Sequence, residues 1–575
     1  MQRKVESVGT INGGELFVKA MAAEGIKFLF GLPSPTVDPI LANLEENGIR
    51  FVPVHHESAG VHMAEGLYKT TGQASAVIAN PGPGSANLLP GVITASHEGV
   101  PVLVITSQHR LGVVYPSPPT TFQGQDQLDI FKPAVKWGGP IFQWERTAEV
   151  MRLAFREMWN GRPGPVQIDI PAPILYEEGE ESAAPVRPPE AYRASDPQAS
   201  AAQIEGAVDL LANAKRPVLI PGAGADHCGA HGEILEIAGT LGCPVVPTMA
   251  GRATISMDHP NYVFGFGDAG ITARKEADVI LVAGSRLGNL DLPYDKYWGD
   301  GEDCSLIQID TDPGNIGVSR PIALGIVADA KDALTGIAAG LKARGTAAKG
   351  REDLDRYQQL DREWHDAQFG MVSDWDGPGI HPGQAIEKIA DVFGDQAVYT
   401  VDGGNTALWA YSLLPSTPPR SYHSILELGM LGTGIPSAIG AKFGEPDREV
   451  VCVTGDGAAG FNIMEMQTAR REGAKVTTVV LAEGNWTMEE PNELALYGRT
   501  FGTELGVIRW DKIAEGLGCH GEHVESIEDV EPALRRAQES DRPAVVAIHT
   551  SADANRAIPP EMVGRFFEVY SGPLE

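Results

Sequence analysis

The chain has 575 residues and a net charge of −31, and 43% of its residues are hydrophobic. This length predicts three or four domains, and no apolar run is long enough to span a bilayer, so we expect a soluble protein. The acidic charge argues against binding to nucleic acid or to an anionic membrane surface. The N-terminus lacks the apolar stretch of a secretory signal, and five cysteines are scattered without metal-ligand spacing. We therefore expect a reduced, cytoplasmic protein.

The N-terminal block alternates apolar strands with helical stretches, which predicts a doubly wound parallel sheet. An apolar strand at 52–54 runs through two histidines to Glu57, and a helical stretch follows directly. This pattern predicts that Glu57 is buried where the strand ends. The glycine-rich string 81–87 then opens a second helix.

Changes in composition divide the rest of the chain. A stretch around 177–194, rich in Glu, Pro and Ala, is expected to be a linker, and a charged helical connector is expected around 347–368. Between them, apolar strands run into turns, as in a nucleotide-binding sheet. The predicted domains are 1–185, 195–345 and 375–550, followed by a tail, 551–575.

The third block contains the most informative pattern, a Gly-Asp-Gly sequence around Asp456. An apolar strand at 450–453 precedes it, and a helical stretch at 462–473 leads to a second strand at 476–481. A right-handed crossover places Asp456 and Glu483 past the carboxyl ends of neighbouring strands. Carboxylate oxygens at that edge suit Mg²⁺ better than zinc.

Two further glycine-rich strings lie in this block, at 402–405 and 429–436. Glycines at this density allow a close approach of the backbone to a ligand. Each string alone is a weak signal, because glycine-rich stretches also form ordinary turns. Their order along the chain carries more information than any one of them.

In that order, the strings resemble the motifs of thiamine-diphosphate enzymes of the acetolactate synthase and 2-hydroxyacyl-CoA lyase family. In that family an Asn-Asn pair follows Gly-Asp-Gly after about 27 residues, whereas this chain has Ala482 and Glu483 there. The resemblance covers nearly the whole chain. It implies an α/β protein with three doubly wound, Rossmann-like parallel-sheet domains, which bind the pyrimidine, a nucleotide, and the diphosphate with Mg²⁺.

The resemblance also implies roles for individual residues. Asp456 holds Mg²⁺ on the diphosphate, together with Glu483 or, after a local shift, Asn485. Glu57 hydrogen-bonds the pyrimidine ring and relays protons, and Leu431 supports the bent cofactor. The residues expected to contact the cofactor are Gly403, Gly404, Asn405, Gly429, Leu431, Asp456, Gly457, Ala458 and Asn485. Those expected to hold the metal are Asp456, Glu483 and Asn485.

The residues that follow the metal loop, 483–485, determine which reaction we expect. Glu489 matches a glutamate that moves the substrate hydroxyl proton in 2-hydroxyacyl-CoA lyases, although a charge on a short helix is also a common surface feature. Gln123 lies in a string that resembles a loop entering the active site. The expected catalytic residues are therefore Glu57, Glu489 and Gln123.

The expected reaction is cleavage of a short 2-hydroxyacyl-CoA to formyl-CoA and a carbonyl compound. One alternative is an acetolactate synthase-like or 2-keto acid decarboxylase activity. Another is a non-catalytic homologue, because Glu483 adds a negative charge beside the diphosphate. The substrate is a small molecule in either enzymatic reading.

The resemblance has consequences for ligands and assembly as well. An ADP-containing ligand, CoA or FAD, is a candidate for the central domain, where the candidate phosphate ligands are Arg252, Arg274, Arg286 and Arg320. Arginines at sheet ends also often form surface pairs, which is the alternative for these four. In the family the complete site forms between two subunits, so we expect at least a homodimer, and a homotetramer as the usual form. The aromatic tail is expected to fold over the site as a lid or to pack on a subunit surface.

Overall fold

The computed structural model describes residues 9–299, 303–348, 350–417, 419–424 and 427–571. It contains three parallel sheets of six, four and six strands, which confirms the predicted α/β class with three parallel-sheet domains. The backbone also divides into two compact units. The first comprises residues 9–195 with Ile435–Asp447 and Asn462–Lys475, and the second comprises the remaining described residues.

The N-terminal sheet has the strand order β3-β2-β4-β5-β7-β6, and β1 pairs antiparallel with β8 outside it. The strands of this part of the chain are β1 Thr10–Asn12, β2 Phe28–Gly31, β3 Arg50–Pro53, β4 Ser75–Ala79, β5 Val102–Gln108, β6 Trp137–Pro140, β7 Val166–Pro171 and β8 Glu178–Glu180. The helices are α1 Gly13–Ala23, α2 Asp38–Leu41, α3 Glu57–Thr71, α4 Pro83–Glu98, α5 Gln127–Phe131, α6 Thr147–Trp159 and α7 Ala172–Tyr176. The stretch predicted as a linker therefore begins with a strand, β8, because its backbone pairs with the first strand.

The strands β4 and β5 are buried along their whole length, as expected for central strands covered on both faces. Helix α3 begins at Glu57, after a short turn from β3, because the His56 side chain accepts a hydrogen bond from the backbone N–H of Ser58. It ends at Gly72, which adopts the left-handed conformation. These local signals place Glu57 in the first turn of α3.

The central sheet has the order β12-β11-β10-β9, and all its strands are parallel. Its strands are β9 Pro217–Pro221, β10 Val279–Ala283, β11 Ser305–Asp310 and β12 Leu324–Val327. The helices of this part of the chain are α8 Ala201–Asn213, α9 Ala223–His227, α10 His231–Leu241, α11 Asp268–Glu276, α12 Ala330–Ala343 and α13 Arg351–Ser373. The long α13 corresponds to the predicted charged connector.

The C-terminal sheet has the order β14-β13-β15-β16-β18-β17. Its strands are β13 Val398–Asp402, β14 Tyr422–Ser424, β15 Val450–Gly455, β16 Thr477–Ala482, β17 His520–Val524 and β18 Ala544–His549. The helices are α14 Pro382–Phe393, α15 Asn405–Leu413, α16 Gly434–Gly444, α17 Asp456–Asn462, α18 Glu465–Glu472, α19 Glu490–Tyr497, α20 Trp510–Gly516, α21 Ile527–Glu539, α22 Ala552–Arg556 and α23 Pro560–Ser571. The single helix predicted at 462–473 is wrong in its start, since the crossover helix already begins at Asp456 and is interrupted after Asn462.

The C-terminal sheet has a topological switch point. From β13 the chain first adds β14 on one side and then β15 on the other. In such sheets ligands bind at the carboxyl ends of the strands, where the order reverses. The loops that follow β13, β15 and β16 all lie at this edge, because these three strands are parallel neighbours.

No helix among the described residues is long and apolar enough to cross a membrane.

Candidate active site

The buried carboxylate of Asp402 organises the loop that follows β13. One oxygen accepts from the backbone N–H of Gly403 at 2.7 Å, and the other accepts from that of Gly434 at 2.8 Å. Gly403 has a φ of +101°, which an L-residue side chain rarely tolerates. Asp402 therefore joins two of the predicted glycine-rich strings at the switch point.

Two glycines of the site allow side chains from the loop after β16 to pack closely. A Cβ on Gly404 would lie 2.9 Å from the Cβ of Met488, and a Cβ on Gly457 would lie 2.2 Å from the indole ring of Trp486. Any larger residue would displace these side chains. The glycines thus bring the loops after β13 and β15 against the segment around residues 486–488.

Asp456 is buried, and its carboxylate is held by backbone donors. Oδ1 accepts from the N–H of Gly457 at 2.8 Å, while Oδ2 accepts from Gly484 at 2.6 Å and Glu483 at 3.1 Å. Burial raises the pKa of Asp456, although these hydrogen bonds oppose the shift. The side chain therefore links the loops after β15 and β16.

Glu483 follows β16 directly and is the second carboxylate of this edge. Burial, and then the charge of Asp456, raise the pKa of Glu483 to about 8. The Nδ2 atom of Asn555 donates to both carboxylate oxygens, at 2.7 and 2.9 Å. Two neighbouring carboxyl groups with raised pKa values favour a cation at this position, because a positive charge relieves their repulsion.

The other predicted cofactor residues of this sheet occupy different environments. Ala458 is buried in α17 and Asn405 is buried at the start of α15. Asn485 is partly buried and forms a backbone bridge with Glu504. Gly429 is exposed and Leu431 is partly buried, and the link of their string to the site is the Gly434 hydrogen bond described above. All these assignments as cofactor or metal contacts remain predictions.

In the N-terminal unit, Glu57 is only 4% exposed, as predicted. Its Oε2 atom accepts from Nδ2 of Asn87 on α4 at 2.9 Å. A Cβ on Gly84 would lie 3.1 Å from Oε1 of Glu57 and 2.1 Å from Oδ1 of Asn80. The first turn of α4 thus packs tightly on the glutamate, and Asn87 orients it.

Gln123 contacts the start of α4, the helix that packs on Glu57. A Cβ on Gly82 would lie 2.8 Å from the Cβ of Gln123, so the two backbones are in close contact. Both residues have positive φ values, +55° for Gln123 and +73° for Gly82. The neighbouring Gln125 reinforces this arrangement by donating from Nε2 to the Gly82 carbonyl at 2.8 Å. The structure therefore brings the Gln123 loop to the helix end that contacts Glu57.

Glu465 was not predicted from the sequence, yet it fixes the backbone of the two histidines that precede Glu57. Its buried Oε1 atom accepts from the backbone N–H groups of His55 at 2.8 Å and His56 at 3.1 Å. Burial raises the pKa of Glu465. These contacts join residues more than 400 positions apart in the chain, and no local pattern in the sequence indicates them.

Glu489 and Glu490 differ sharply despite being neighbours. The side chain of Glu489 is exposed and has no hydrogen-bond or ion-pair partner among the described residues, whereas Glu490 is buried. Glu490 accepts from Oγ1 of Thr503 at 3.0 Å and from Nε of Arg556 at 2.5 Å. The role predicted for Glu489 is not tested by this placement.

The tail forms two helices with different contacts. Two residues of the short α22 contact the segment after β16: Asn555 donates to Glu483, and Arg556 donates to Glu490. The longer α23 packs on the central part of the chain, where Glu568 is buried and accepts from the Tyr297 hydroxyl at 2.8 Å and from Lys296. The lid predicted for residues 551–575 remains a prediction.

The four candidate phosphate ligands of the central block are mostly engaged with the protein. Arg252 is fully buried and donates to the carbonyls of Tyr411 and Leu414, among others. Arg286 pairs with Glu427, and Arg320 pairs with Asp295. The fourth, Arg274, is 4% exposed, and its Nε and Nη2 atoms have no partner among the described residues.

Arg274 lines a cavity with mainly apolar walls, which include Phe266, Met249 and Trp298. Asp291 also lines it, and burial raises the pKa of Asp291 to about 7. Burial likewise lowers the pKa of Arg274 to about 10. The cavity thus combines one unsatisfied cation with one carboxyl group that titrates near neutrality.

Comparison with known families gives three consecutive matches. The N-terminal TPP binding domain of thiamine pyrophosphate enzymes matches residues 11–130, the central domain matches 204–337, and the C-terminal TPP binding domain matches 402–548. Each match includes strands of one of the three parallel sheets. Thiamine pyrophosphate is the same compound as thiamine diphosphate.

Curated relatives are similar over nearly the full length. A probable acetolactate synthase large subunit from Methanococcus aeolicus is 30% identical over 559 residues, which cover 93% of this chain and 91% of the relative. A sulfoacetaldehyde acetyltransferase from Alcaligenes xylosoxydans xylosoxydans is 30% identical over 569 residues, with coverages of 93% and 92%. The acetolactate synthase large subunit of Corynebacterium glutamicum is also 30% identical, over 571 residues, with coverages of 95% and 87%.

Proposed function

Because the chain belongs to the acetolactate synthase family of thiamine pyrophosphate enzymes, we propose that it makes or breaks a carbon–carbon bond of a small carbonyl substrate. The first candidate is an acetolactate synthase-like or acetyl-transferring reaction. Relatives of both names align with nearly the whole chain. The observation that carries the proposal is the set of carboxylates and glycines at the switch point of the C-terminal sheet.

The residues at this edge fit a diphosphate held by Mg²⁺. Two carboxylates with raised pKa values, Asp456 and Glu483, provide hard oxygen ligands. Buried oxygens of Asn405 and Thr433 lack partners among the described residues. Within the described chain no cluster of three or more His, Cys, Asp or Glu side chains forms a metal site, so the diphosphate and the backbone would complete the coordination.

When bound, thiamine diphosphate supplies a nucleophilic carbon and stabilises the carbanion that the substrate forms. The protein's own residues would bind, orient and exchange protons. Glu57 is suited to hold a proton at the pyrimidine because it is buried and oriented by Asn87. Gln123 is suited to donate a hydrogen bond to a substrate oxygen.

The second candidate is cleavage of a short 2-hydroxyacyl-CoA to formyl-CoA and a carbonyl compound. The observation that favours it is Glu489, a carboxylate that follows the metal loop and has no partner among the described residues. Such a group is available to take a proton from a substrate hydroxyl and return it. In this reading Glu489→Ala slows turnover, and Glu504→Ala, which removes an exposed glutamate nearby, is the matched control.

A ligand in the central domain is part of the second candidate, and we propose CoA or another ADP-containing molecule there. Arg274 is the candidate ligand for the phosphates of this molecule, since the other three arginines pair with protein groups. Calorimetry with CoA, ADP and FAD tests this. Binding that Arg274→Met abolishes would favour the proposal, and unchanged binding would contradict the assignment of Arg274.

We further propose that the complete site forms between two subunits, so that the enzyme is at least a homodimer and forms a homotetramer. Exposed apolar side chains near the metal loop, among them Leu496, Tyr497 and Phe501, support an interface in this region. Sedimentation of the purified protein measures the assembly. A monomer that turns over substrate would contradict the proposal.

A substrate screen separates the two candidate reactions. The protein is incubated with thiamine diphosphate and Mg²⁺ and then with pyruvate, sulfoacetaldehyde, benzoylformate, oxalyl-CoA or 2-hydroxyisobutyryl-CoA, and consumption is followed by mass spectrometry. The first candidate predicts consumption of pyruvate or sulfoacetaldehyde. Cleavage of the hydroxyacyl-CoA alone would replace it by the second candidate. Cofactor binding without any turnover would favour a non-catalytic homologue.

A further inference from the structure

We propose that the short C-terminal helix α22 clamps the segment 483–490, with Asn555 positioning Glu483 for the metal and Arg556 fixing the other end of the segment. This inference rests on the proposed thiamine-diphosphate site and deepens it. The two residues are consecutive in the chain, and their partners stand at the two ends of the loop that follows β16. Asn555 and Arg556 would therefore act as positioning residues rather than as catalytic residues.

The orientation of the Asn555 amide follows from its partners. Its Oδ1 atom accepts from the indole Nε1–H of Trp409 at 2.8 Å, and Nδ2 donates to both oxygens of Glu483. An indole can only donate, so Oδ1 of Asn555 must face Trp409 and Nδ2 must face Glu483. Since Asn555 and Trp409 are both buried, this arrangement is protected from competing water.

The contact extends through α15 to the glycine-rich string at 402–405. Trp409 lies on α15, whose first residue is Asn405, and Nδ2 of Asn405 approaches the Asn555 carbonyl at 3.4 Å. Thr550, which leads into α22, donates its N–H to the Ala482 carbonyl at 3.1 Å. The last strand, the metal loop and the start of α15 are therefore connected around a single asparagine.

Arg556 holds the far end of the segment. Its Nε atom donates to Glu490 at 2.5 Å, and Glu490 also accepts from Thr503 at 3.0 Å. Between the two fixed glutamates lie Trp486 and Met488, which pack on Gly457 and Gly404. The clamp thus sets the position of the side chains that border the switch point.

The clamp also accounts for a glutamate at position 483. A cation at the site favours the ionised form of Glu483, and a carboxylate accepts a stronger hydrogen bond from an amide than a neutral oxygen does. Asparagine at this position, the residue of the family motif, is neutral and one methylene shorter, so its contact to Asn555 is at most a bond between neutral groups, of about half the strength. Loss of Asn555 should therefore matter more in the natural chain than in the Glu483→Asn variant.

A double-mutant cycle on cofactor affinity tests the inference. Binding of thiamine diphosphate at a fixed Mg²⁺ concentration is measured by calorimetry for the natural protein, Glu483→Asn, Asn555→Ala and the double variant. We expect Asn555→Ala to weaken binding about tenfold in the natural chain but less than about threefold in the Glu483→Asn background, because the interaction couples the two sites. Equal losses in both backgrounds would overturn the clamp.

Isosteric replacements that exchange the carboxylate and the amide between the two positions give a second test. Asn555→Asp keeps the acceptor for Trp409 but places a negative charge against Glu483, so we expect binding to weaken at least about tenfold. The double variant Glu483→Gln with Asn555→Asp restores a carboxylate and amide pair, and we expect it to bind more tightly than Asn555→Asp alone. No recovery would overturn the inference.

The controls separate the clamp from the site itself. Asn261→Ala removes another buried asparagine, which donates to the Cys243 carbonyl at 2.7 Å. We expect this variant to lower thermal stability and to leave the Mg²⁺ dependence of cofactor binding unchanged. Failure of the natural protein to bind the cofactor with Mg²⁺ would overturn the proposed function and the clamp together, whereas normal binding with additive losses would overturn only the clamp.

Discussion

At the scale of single residues, Glu57 combines burial with one defined partner, Asn87. We predict that Glu57→Gln retains the cofactor but slows exchange of the cofactor's thiazolium proton into deuterated water at least about a hundredfold, because the amide keeps the shape and cannot relay a proton. Nuclear magnetic resonance of quenched samples measures this exchange. A rate within about threefold of the natural protein would remove Glu57 from the mechanism.

The raised pKa of Glu483 predicts how protein stability and cofactor affinity depend on pH. In the metal-free protein its pKa lies near 8 instead of 4.5, so between these values the folded chain keeps a proton that the unfolded chain has released. The free energy of unfolding therefore decreases as pH rises through this window. Mg²⁺ favours the ionised carboxylate, so cofactor affinity should increase over the same range.

Glu483→Gln should flatten both pH profiles, because an amide does not titrate. Denaturant unfolding and calorimetry at several pH values between about 5 and 8.5 provide the measurement. Identical profiles for the natural protein and the variant would mean that Glu483 does not titrate in this window. Glu483→Ala should in addition raise the Mg²⁺ requirement, and an unchanged requirement would make Asn485 the better candidate ligand.

At the scale of elements, α23 is anchored by a buried carboxylate. We predict that Glu568→Ala lowers the free energy of unfolding by about 1–3 kcal/mol, because the hydroxyl of Tyr297 loses its buried acceptor. Denaturant unfolding measures the loss. The matched control is Glu531→Ala, which breaks an exposed helix pair with Arg535 and should cost less than about 0.5 kcal/mol. Equal losses would show that α23 is not anchored through Glu568.

The predicted lid can be tested with the same element. Deletion of residues from Ile558 onward removes α23 and keeps α22. A lid predicts a higher Michaelis constant or a broader substrate range. Unaltered kinetics on every accepted substrate would leave α23 with the structural role that its contacts on the central part of the chain suggest.

The sequence predicted most elements that carry a local signal. Buried strands such as β4 and β15 stand out as apolar runs between turn residues. Backbone pairing between distant segments has no such signal, and for that reason β8 was predicted as part of a linker. The start of α17 was missed because helical spacing was recognised only from Asn462 onward, whereas Asp456 already occupies the first turn of a helix.

The site was predictable where its residues follow strands, directly for Asp456 and Glu483 and after a short turn for Glu57. Its supporting contacts were not, because Asn555 and Glu465 meet their partners 72 and 410 residues away in the chain. The difference between Glu489 and Glu490 also depends on tertiary contacts, since both belong to the same short polar stretch.

At the scale of the whole molecule, a site shared between subunits predicts complementation. Glu57→Gln and Asp456→Ala should each be inactive alone, yet a mixed dimer keeps one intact site, with Glu57 from one subunit and Asp456 from the other. Random pairing after co-expression should restore about a quarter of the natural activity. Activity that stays at the level of the single variants would contradict a shared site.

Binding of thiamine diphosphate itself tests the proposed site at Asp456 most directly. Calorimetry is performed with Mg²⁺ and with a chelator on the natural protein and on Asp456→Ala, whose folding is checked by its thermal transition. A thiamine-diphosphate site held by Asp456 predicts saturable binding that requires Mg²⁺ and is lost in Asp456→Ala. Equal affinity in Asp456→Ala, or no binding by the natural protein, would contradict it.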